Sequence, residues 1–264
     1  MNTLLSDVAA LTGRRLRATV RSPAKIVGVL LMPISLVLVL GFLFDGSITL
    51  PGGAPYVDYL TAGVAAQVGL TLVATSGLGI ADDLAGGLAD RFRSLPIPRS
   101  AVLLGHTLSD LVLAAAGIGA TTGIAYTIGW RIHSGLIPGL AGFGLLLLFA
   151  YAMLWLGALI GLTTSGAEAI SAIAALVMVV GSFVSNAFVP LRGLPDWLAT
   201  VSAWNPVSSV VAACRRLWGN PDLVTAGAGF PQRHATLIAL AVLVAVLAVA
   251  IPAGTRIYRT GTAA

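Results

Sequence analysis

The chain has 264 residues, of which 57% are hydrophobic and only 9% charged, and its mean hydropathy is +0.95. A soluble domain carries about 25% charged residues, so a soluble enzyme is excluded, and disorder needs the opposite composition. The net charge of +5, from 15 Lys+Arg against 10 Asp+Glu, belongs to a polytopic membrane protein, where the placement of cations matters more than their sum.

Residues 1–25 read as an amphipathic helix lying in the membrane interface. Leu4, Leu5, Val8, Leu11, Leu16 and Val20 share one broad face, and Asp7, Arg14, Arg17 and Arg21 share the other. Arg15 falls on the apolar face, where it is expected to snorkel. Ser22-Pro23 stops this helix before the chain turns into the bilayer. The following apolar run is too long for a signal-peptide core.

Stretches without Asp, Glu, Lys, Arg or His then cover 26–44, 59–81, 111–130, 134–167, 169–191 and 235–255. Each meets or nearly meets the roughly 20 residues that a helix needs to cross the hydrocarbon core. In the fourth, Pro138 is assigned to the preceding turn, which leaves a span of about 140–163. The expectation is an all-α polytopic membrane protein with six transmembrane helices in a single domain over 1–264.

Orientation follows from the basic residues. With the N-terminus inside, Arg14, Arg15, Arg17, Arg21, Lys25, Arg91, Arg93, Arg99, Arg256 and Arg259 are cytoplasmic. Arg131, Arg192, Arg215, Arg216 and Arg233 are external, so both termini are placed inside.

Two connections carry more than a linker requires. The cytoplasmic stretch 82–110 opens with Asp82-Asp83 and reaches Asp90-Arg91-Phe92-Arg93-Ser94-Leu95-Pro96-Ile97-Pro98-Arg99. A short helix around Phe92, a Pro-x-Pro stop and Ser100 as an N-cap lead through Gly105, His106 and Asp110 into the third span. An exposed aromatic flanked by arginines reads as a docking element. The external stretch 192–233 repeats apolar residues at helical spacing on either side of Asn205-Pro206: Trp197, Val201 and Trp204, then Val207, Val211, Cys214 and Trp218. These fit two amphipathic or re-entrant helices at the outer interface. A seventh span there, placing the C-terminus outside, is the alternative.

Several chemistries have no sequence support. The only lysine, Lys25, follows Ala24, so no P-loop exists to cradle ATP phosphates. The single cysteine, Cys214, permits neither an intrachain disulfide nor a thiolate metal site. His106, His133 and His234 are read as isolated interfacial histidines, hydrogen-bonded or solvated. Glu168, the only acidic or basic residue from 135 to 191, is read as an interfacial carboxylate. Gly119-x3-Gly123 and Gly157-x3-Gly161 offer close helix contacts. No catalytic, cofactor-binding or metal-ligating residue is assigned.

Three stretches carry a family resemblance. They are the 90–99 sequence with Leu104-Gly105 and Asp110; Asn186-Ala187-Phe188-Val189-Pro190 leading to Leu194-Pro195-Asp196-Trp197-Leu198; and Trp204-Asn205-Pro206-Val207 with Arg215 and Leu217. The chain resembles an ABC-2-type transporter permease, close to the daunorubicin-resistance exporter group. The resemblance implies the transport subunit of a bacterial cell-membrane exporter, with two permeases, identical or related, over two ATPase subunits that hold ATP and Mg. It implies a connecting helix ending at Ser22-Pro23, and an ATPase-coupling interface at Asp90, Arg91, Phe92, Arg93, Pro96 and Arg99. Arg14, Arg17, Arg21 and Glu168 form a possible second interface. Substrates of that group are hydrophobic drugs, lipids or polyketides. Two other classes stand against it: an ion-coupled multidrug antiporter, which would need carboxylates within the spans, and a polytopic enzyme of lipid metabolism, which would need converging acid/base groups.

Overall fold

A chain this poor in charge must satisfy its backbone internally, and helices do so without any partner strand. The computed structural model of the protein describes residues 2–44, 50, 53–86, 99–188, 195–222 and 229–260, and every regular element among them is helical. In chain order these are α1 (Asn2–Val20), α2 (Pro23–Leu43), α3 (Tyr56–Ala85), α4 (Arg99–Thr127) and α5 (Leu136–Thr163). They continue with α6 (Ala167–Phe183), α7 (Asp196–Trp204), α8 (Pro206–Trp218), α9 (Phe230–Arg233) and α10 (Ala235–Thr260).

Five helices, α2, α3, α4, α5 and α10, are long and apolar enough to cross a membrane. The sixth expected run, 169–191, forms α6, which has 17 residues. That is about 25 Å of helix, short of a hydrocarbon core of roughly 30 Å. The helix ends at Phe183, and residues 184–188 continue as irregular backbone. Pro138 lies within the first turn of α5 rather than before it. A proline fits there because the first helical N–H groups have no partner within the helix. The helix of the third span opens at Arg99, so Ser100 lies inside it rather than at its cap.

α3 is the hub. It packs on α2, α4, α5, α6 and α8, and its residues from Tyr56 to Leu70 are all buried. Its closest neighbour is α5, because Gly157 and Gly161 lie against the backbones of Val73 and Gly77. Ser76 Oγ donates to the Leu154 carbonyl at 2.9 Å in the same contact. Gly119 and Gly123, the other glycine pair, meet nothing and are exposed. By contrast α2 and α10 each bury only 22% of their apolar window, against 67% for α3 and α5. They are the most exposed of the membrane-length helices.

The two ends of the bundle differ chemically. At one, the Asp58 carboxylate at the start of α3 accepts from the Arg131 backbone N–H at 3.2 Å and lies 3.2 Å from His133 Nε2. There Trp130 Nε1 donates to Asn220 Oδ1 at 3.0 Å, and the His133 N–H donates to the Trp218 carbonyl at 2.8 Å. At the other end, where α3 finishes and α4 begins, α1 lies against α4.

Candidate functional site

The Asp83 end holds a clamp made from three helices. Arg15 projects from α1 between α3 and α4, and Gly79 makes room: a Cβ there would lie 2.7 Å from Arg15 Nη2. Gly105 brings α1 equally close, since a Cβ there would lie 2.8 Å from that of Leu11. Arg15 Nη1 donates to Asp83 Oδ2 at 2.9 Å, and its Nε stands 3.7 Å from Asp110 Oδ1. Nη2 lies 2.8 Å from His106 Nε2. The other ring nitrogen, Nδ1, lies 3.4 Å from Asp83 Oδ2.

His106 and Asp110 stand one turn apart on α4, Nε2 to Oδ2 at 3.2 Å, and the side chains of both are only 4% exposed. A cation and two carboxylates this close to apolar surroundings interact far more strongly than they would in water. The sequence places Arg15 on the apolar face of α1, where snorkelling is the expectation. The structure corrects this: Val8 is buried, α1 packs on α4, and the guanidinium meets carboxylates of α3 and α4 there. His106 is likewise not isolated. His133 pairs with Asp58, and His234 packs on Phe230 with ring centroids 4.5 Å apart.

The residues assigned to ATPase coupling, Asp90, Arg91, Phe92, Arg93 and Pro96, lie outside the described residues, as does the side chain of Arg99, which opens α4. The clamp sits where the chain enters and leaves that stretch: Asp83 precedes it, and His106 and Asp110 follow it. On α1 itself, Arg14, Arg17 and Arg21 are exposed or follow in the exposed turn, and Arg17 Nε donates to the Gly13 carbonyl at 3.1 Å. Glu168 is exposed in the first turn of α6, where a carboxylate complements the helix dipole.

Toward the Asp58 end, a second buried network explains why α6 can stop early. Arg215 on α8 has no solvent exposure. Its Nε donates to the Tyr59 carbonyl at 2.9 Å, and Nη2 donates to the carbonyls of Asn186 and Ala187 at 2.9 and 3.0 Å. The guanidinium lies 3.4 Å over the Tyr59 ring, a cation–π contact strengthened by burial. Tyr56 Oη donates to the Phe188 carbonyl at 2.7 Å, and Tyr59 Oη to that of Asn186 at 2.9 Å. The carbonyls left bare by the helix break therefore find donors. Gly63 lets this turn approach, since a Cβ there would overlap the Ala187 carbonyl.

Asn205 completes the arrangement. Its Oδ1 accepts from the Val207 N–H at 2.9 Å, capping α8, with Pro206 at the favoured first position. Its Nδ2 donates to the carbonyls of Val180 and Val184 at the end of α6. α7 and α8 thus form a hairpin whose tip touches the last turn of α6 and whose far end, Trp218, reaches Gly139 and the His133 backbone.

Residues 6–217 match the ABC-2 type transporter family. The chain is 28% identical over 250 residues to the daunorubicin resistance ABC transporter permease protein DrrB1 of Streptomyces coeruleorubidus, covering 95% of this chain and 85% of that one. It is 26% identical over 207 residues to the probable doxorubicin resistance ABC transporter permease protein DrrC of Mycobacterium tuberculosis, covering 77% and 74% respectively. The matched region runs from α1 through the clamp to the Arg215 network and includes four of the five membrane-length helices. On that basis the chain belongs to the ABC-2 type transporter family, as a multi-pass membrane transport subunit and not an enzyme.

Proposed function

We propose that this chain is the permease of an exporter that moves hydrophobic drug-like, lipid or polyketide-like molecules out of the cell. A separate ABC ATPase supplies the energy and holds the ATP and Mg, and a second permease, identical or related, completes the pathway. The likeness to drug-resistance permeases supports the substrate class. The carrying observation is the docking of α1 at the facing ends of α3 and α4, which flank the 90–99 stretch. A helix fastened at that point can move with whatever engages the stretch.

In this reading the Asp83 end is cytoplasmic and the Asp58 end external, following the excess of basic residues at the former. α6 makes the sixth crossing, with its shortfall filled by residues 184–188. The α7–α8 hairpin is re-entrant, because Asn205 reaches the last turn of α6 while Trp218 returns to the outer turn. Irregular backbone at that depth is tolerated only where protein donors meet it, and Arg215 and the two tyrosines supply them.

The 90–99 stretch is the coupling element, with Phe92 as an anchor in a groove of the ATPase and Arg91 and Arg93 paired with its acidic groups. Burying Phe92 contributes roughly 1.5–3 kcal/mol to docking. The test is co-purification of the ATPase and substrate-stimulated hydrolysis in membranes. Phe92→Ala and the double reversal Arg91→Glu/Arg93→Glu should leave insertion and substrate binding intact while lowering both readouts. Wild-type values in both variants would place the docking surface elsewhere, first on Arg14 and Arg17 of α1 and the adjoining Arg21. Export driven by an ion gradient without ATP would overturn the reading itself.

A further inference from the structure

The clamp at the Asp83 end is not fully used in the geometry described. Arg15 faces one carboxylate on the helix before the coupling stretch and another on the helix after it. It is bonded to Asp83 at 2.9 Å and stands off from Asp110 at 3.7 Å. Arg15 Nε and Asp110 Oδ2 are both buried without a hydrogen bond. A guanidinium N–H and a carboxylate oxygen left unbonded within the same buried cluster are costly when unmet. A second docking position would satisfy the Arg15 N–H by bringing it onto Asp110, whose Oδ2 lies 3.2 Å from His106 Nε2. Only a small displacement is required, since closing the 3.7 Å from Nε to Asp110 Oδ1 to an ordinary charge-assisted distance of about 2.8 Å takes roughly 1 Å. The space is bounded by Gly79 and Gly105, whose missing side chains leave α1 close to both helices.

We propose that Arg15 is the positioning residue for energy coupling: it exchanges its carboxylate bond between Asp83 and Asp110, and so sets whether α1 moves with the end of α3 or with the start of α4. The proposal deepens the permease reading and rests on it. Arg15 acts through the two helix ends. When the coupling stretch is pushed, the ends of α3 and α4 shift against each other, and a single cation shared between them converts that shift into a step of α1. His106, bonded to Arg15 and facing both carboxylates, lines the route between the two positions.

The experiment uses two readouts on the full chain. The first is docking of α1, read from alkylation of the purified permease, carrying Val8→Cys, by a water-soluble maleimide. Val8 is buried in the docked helix, and the native Cys214 is buried as well. The second is substrate-stimulated hydrolysis by the complex with its ATPase. In the Val8→Cys background, Arg15→Ala should raise labelling of the introduced thiol several-fold and abolish stimulation. Asp110→Asn should leave labelling and ATPase co-purification at the level of the background, because Asp83 still holds Arg15, yet lower stimulation at least fivefold. The pair Arg15→Asp/Asp83→Arg should recover labelling protection relative to Arg15→Ala without recovering stimulation.

An introduced thiol that stays protected in Arg15→Ala, or undiminished stimulation in Asp110→Asn, overturns the proposal. An ATPase whose hydrolysis is unaffected by the wild-type permease overturns the permease reading instead, and this inference falls with it. The labelling still reports whether Arg15 holds α1 in place, so the two failures are told apart.

Discussion

Arg215 shows how much one side chain can be asked to hold. A buried cation is costly unless its N–H groups are met, and here three backbone carbonyls and an aromatic face meet them. Removing the guanidinium would take the described donor from the Ala187 carbonyl and one donor each from the carbonyls of Tyr59 and Asn186. We expect Arg215→Met to cost on the order of 3 kcal/mol, lowering the melting temperature in detergent by roughly 6–12 °C. Arg215→Lys should recover little, since an ammonium cannot fork between α3 and the 184–188 turn. Tyr59→Phe, which loses one hydrogen bond and keeps the ring, should cost about 1 kcal/mol. Thermal unfolding followed by tryptophan fluorescence would rank the three.

At this scale the sequence is only partly legible. Arg215 stands out within a family-like stretch, but nothing in its neighbours names Tyr59, which lies 156 positions away. Arg15 carries a readable signal, a cation on an otherwise apolar helix face. The spacing of His106 and Asp110 carries another. The two cannot be joined without knowing that α1 folds back across α4, since long-range contacts of this kind leave no periodicity.

Among the elements, local pattern serves well where a helix is continuous and poorly where one breaks. The Ser22-Pro23 boundary between α1 and α2 follows from proline chemistry and is found as expected. The early end of α6 does not follow from the charge pattern, because the 169–191 run stays uncharged throughout and the break is stabilised by partners from α3 and α8. Glycine pairs teach the same lesson. Gly157-x3-Gly161 and Gly119-x3-Gly123 are equivalent as sequence, yet only the first meets another backbone. Gly161→Ala places a methyl into the Gly77 carbonyl and should cost about 1–3 kcal/mol through overpacking. Gly119→Ala and Gly123→Ala should be neutral or stabilise by up to about 1 kcal/mol through reduced unfolded-state freedom. Heating purified variants and scoring the surviving monodisperse fraction by size exclusion would separate the pairs; equal losses would refute the assigned contact.

For the whole molecule, composition alone dictates a membrane protein, and the charge-free runs fall within each of the five membrane-length helices or overlap most of it. What they cannot say is which helix lies at the centre, because α3 and α10 both carry a long charge-free run and differ in what covers them. The proposed topology makes a direct prediction. Reporters fused after Gly53 and Gly219 should read external, and one after Ala264 cytoplasmic. A C-terminal reporter on the outside would mean either that the α7–α8 hairpin crosses the bilayer or that the 17-residue α6 does not.

The Arg215 network has a consequence for how the protein tolerates change. Every hydrogen-bond acceptor described for the guanidinium is a main-chain carbonyl, and no mutation deletes a carbonyl. Variation at Asn186 and Phe188 can alter side chains while leaving the bonded oxygens where they are. Fragility is thus concentrated on the donor side, in Arg215 and the hydroxyls of Tyr56 and Tyr59. A saturation library across these positions should return many functional sequences at 186 and 188 and almost none at 215.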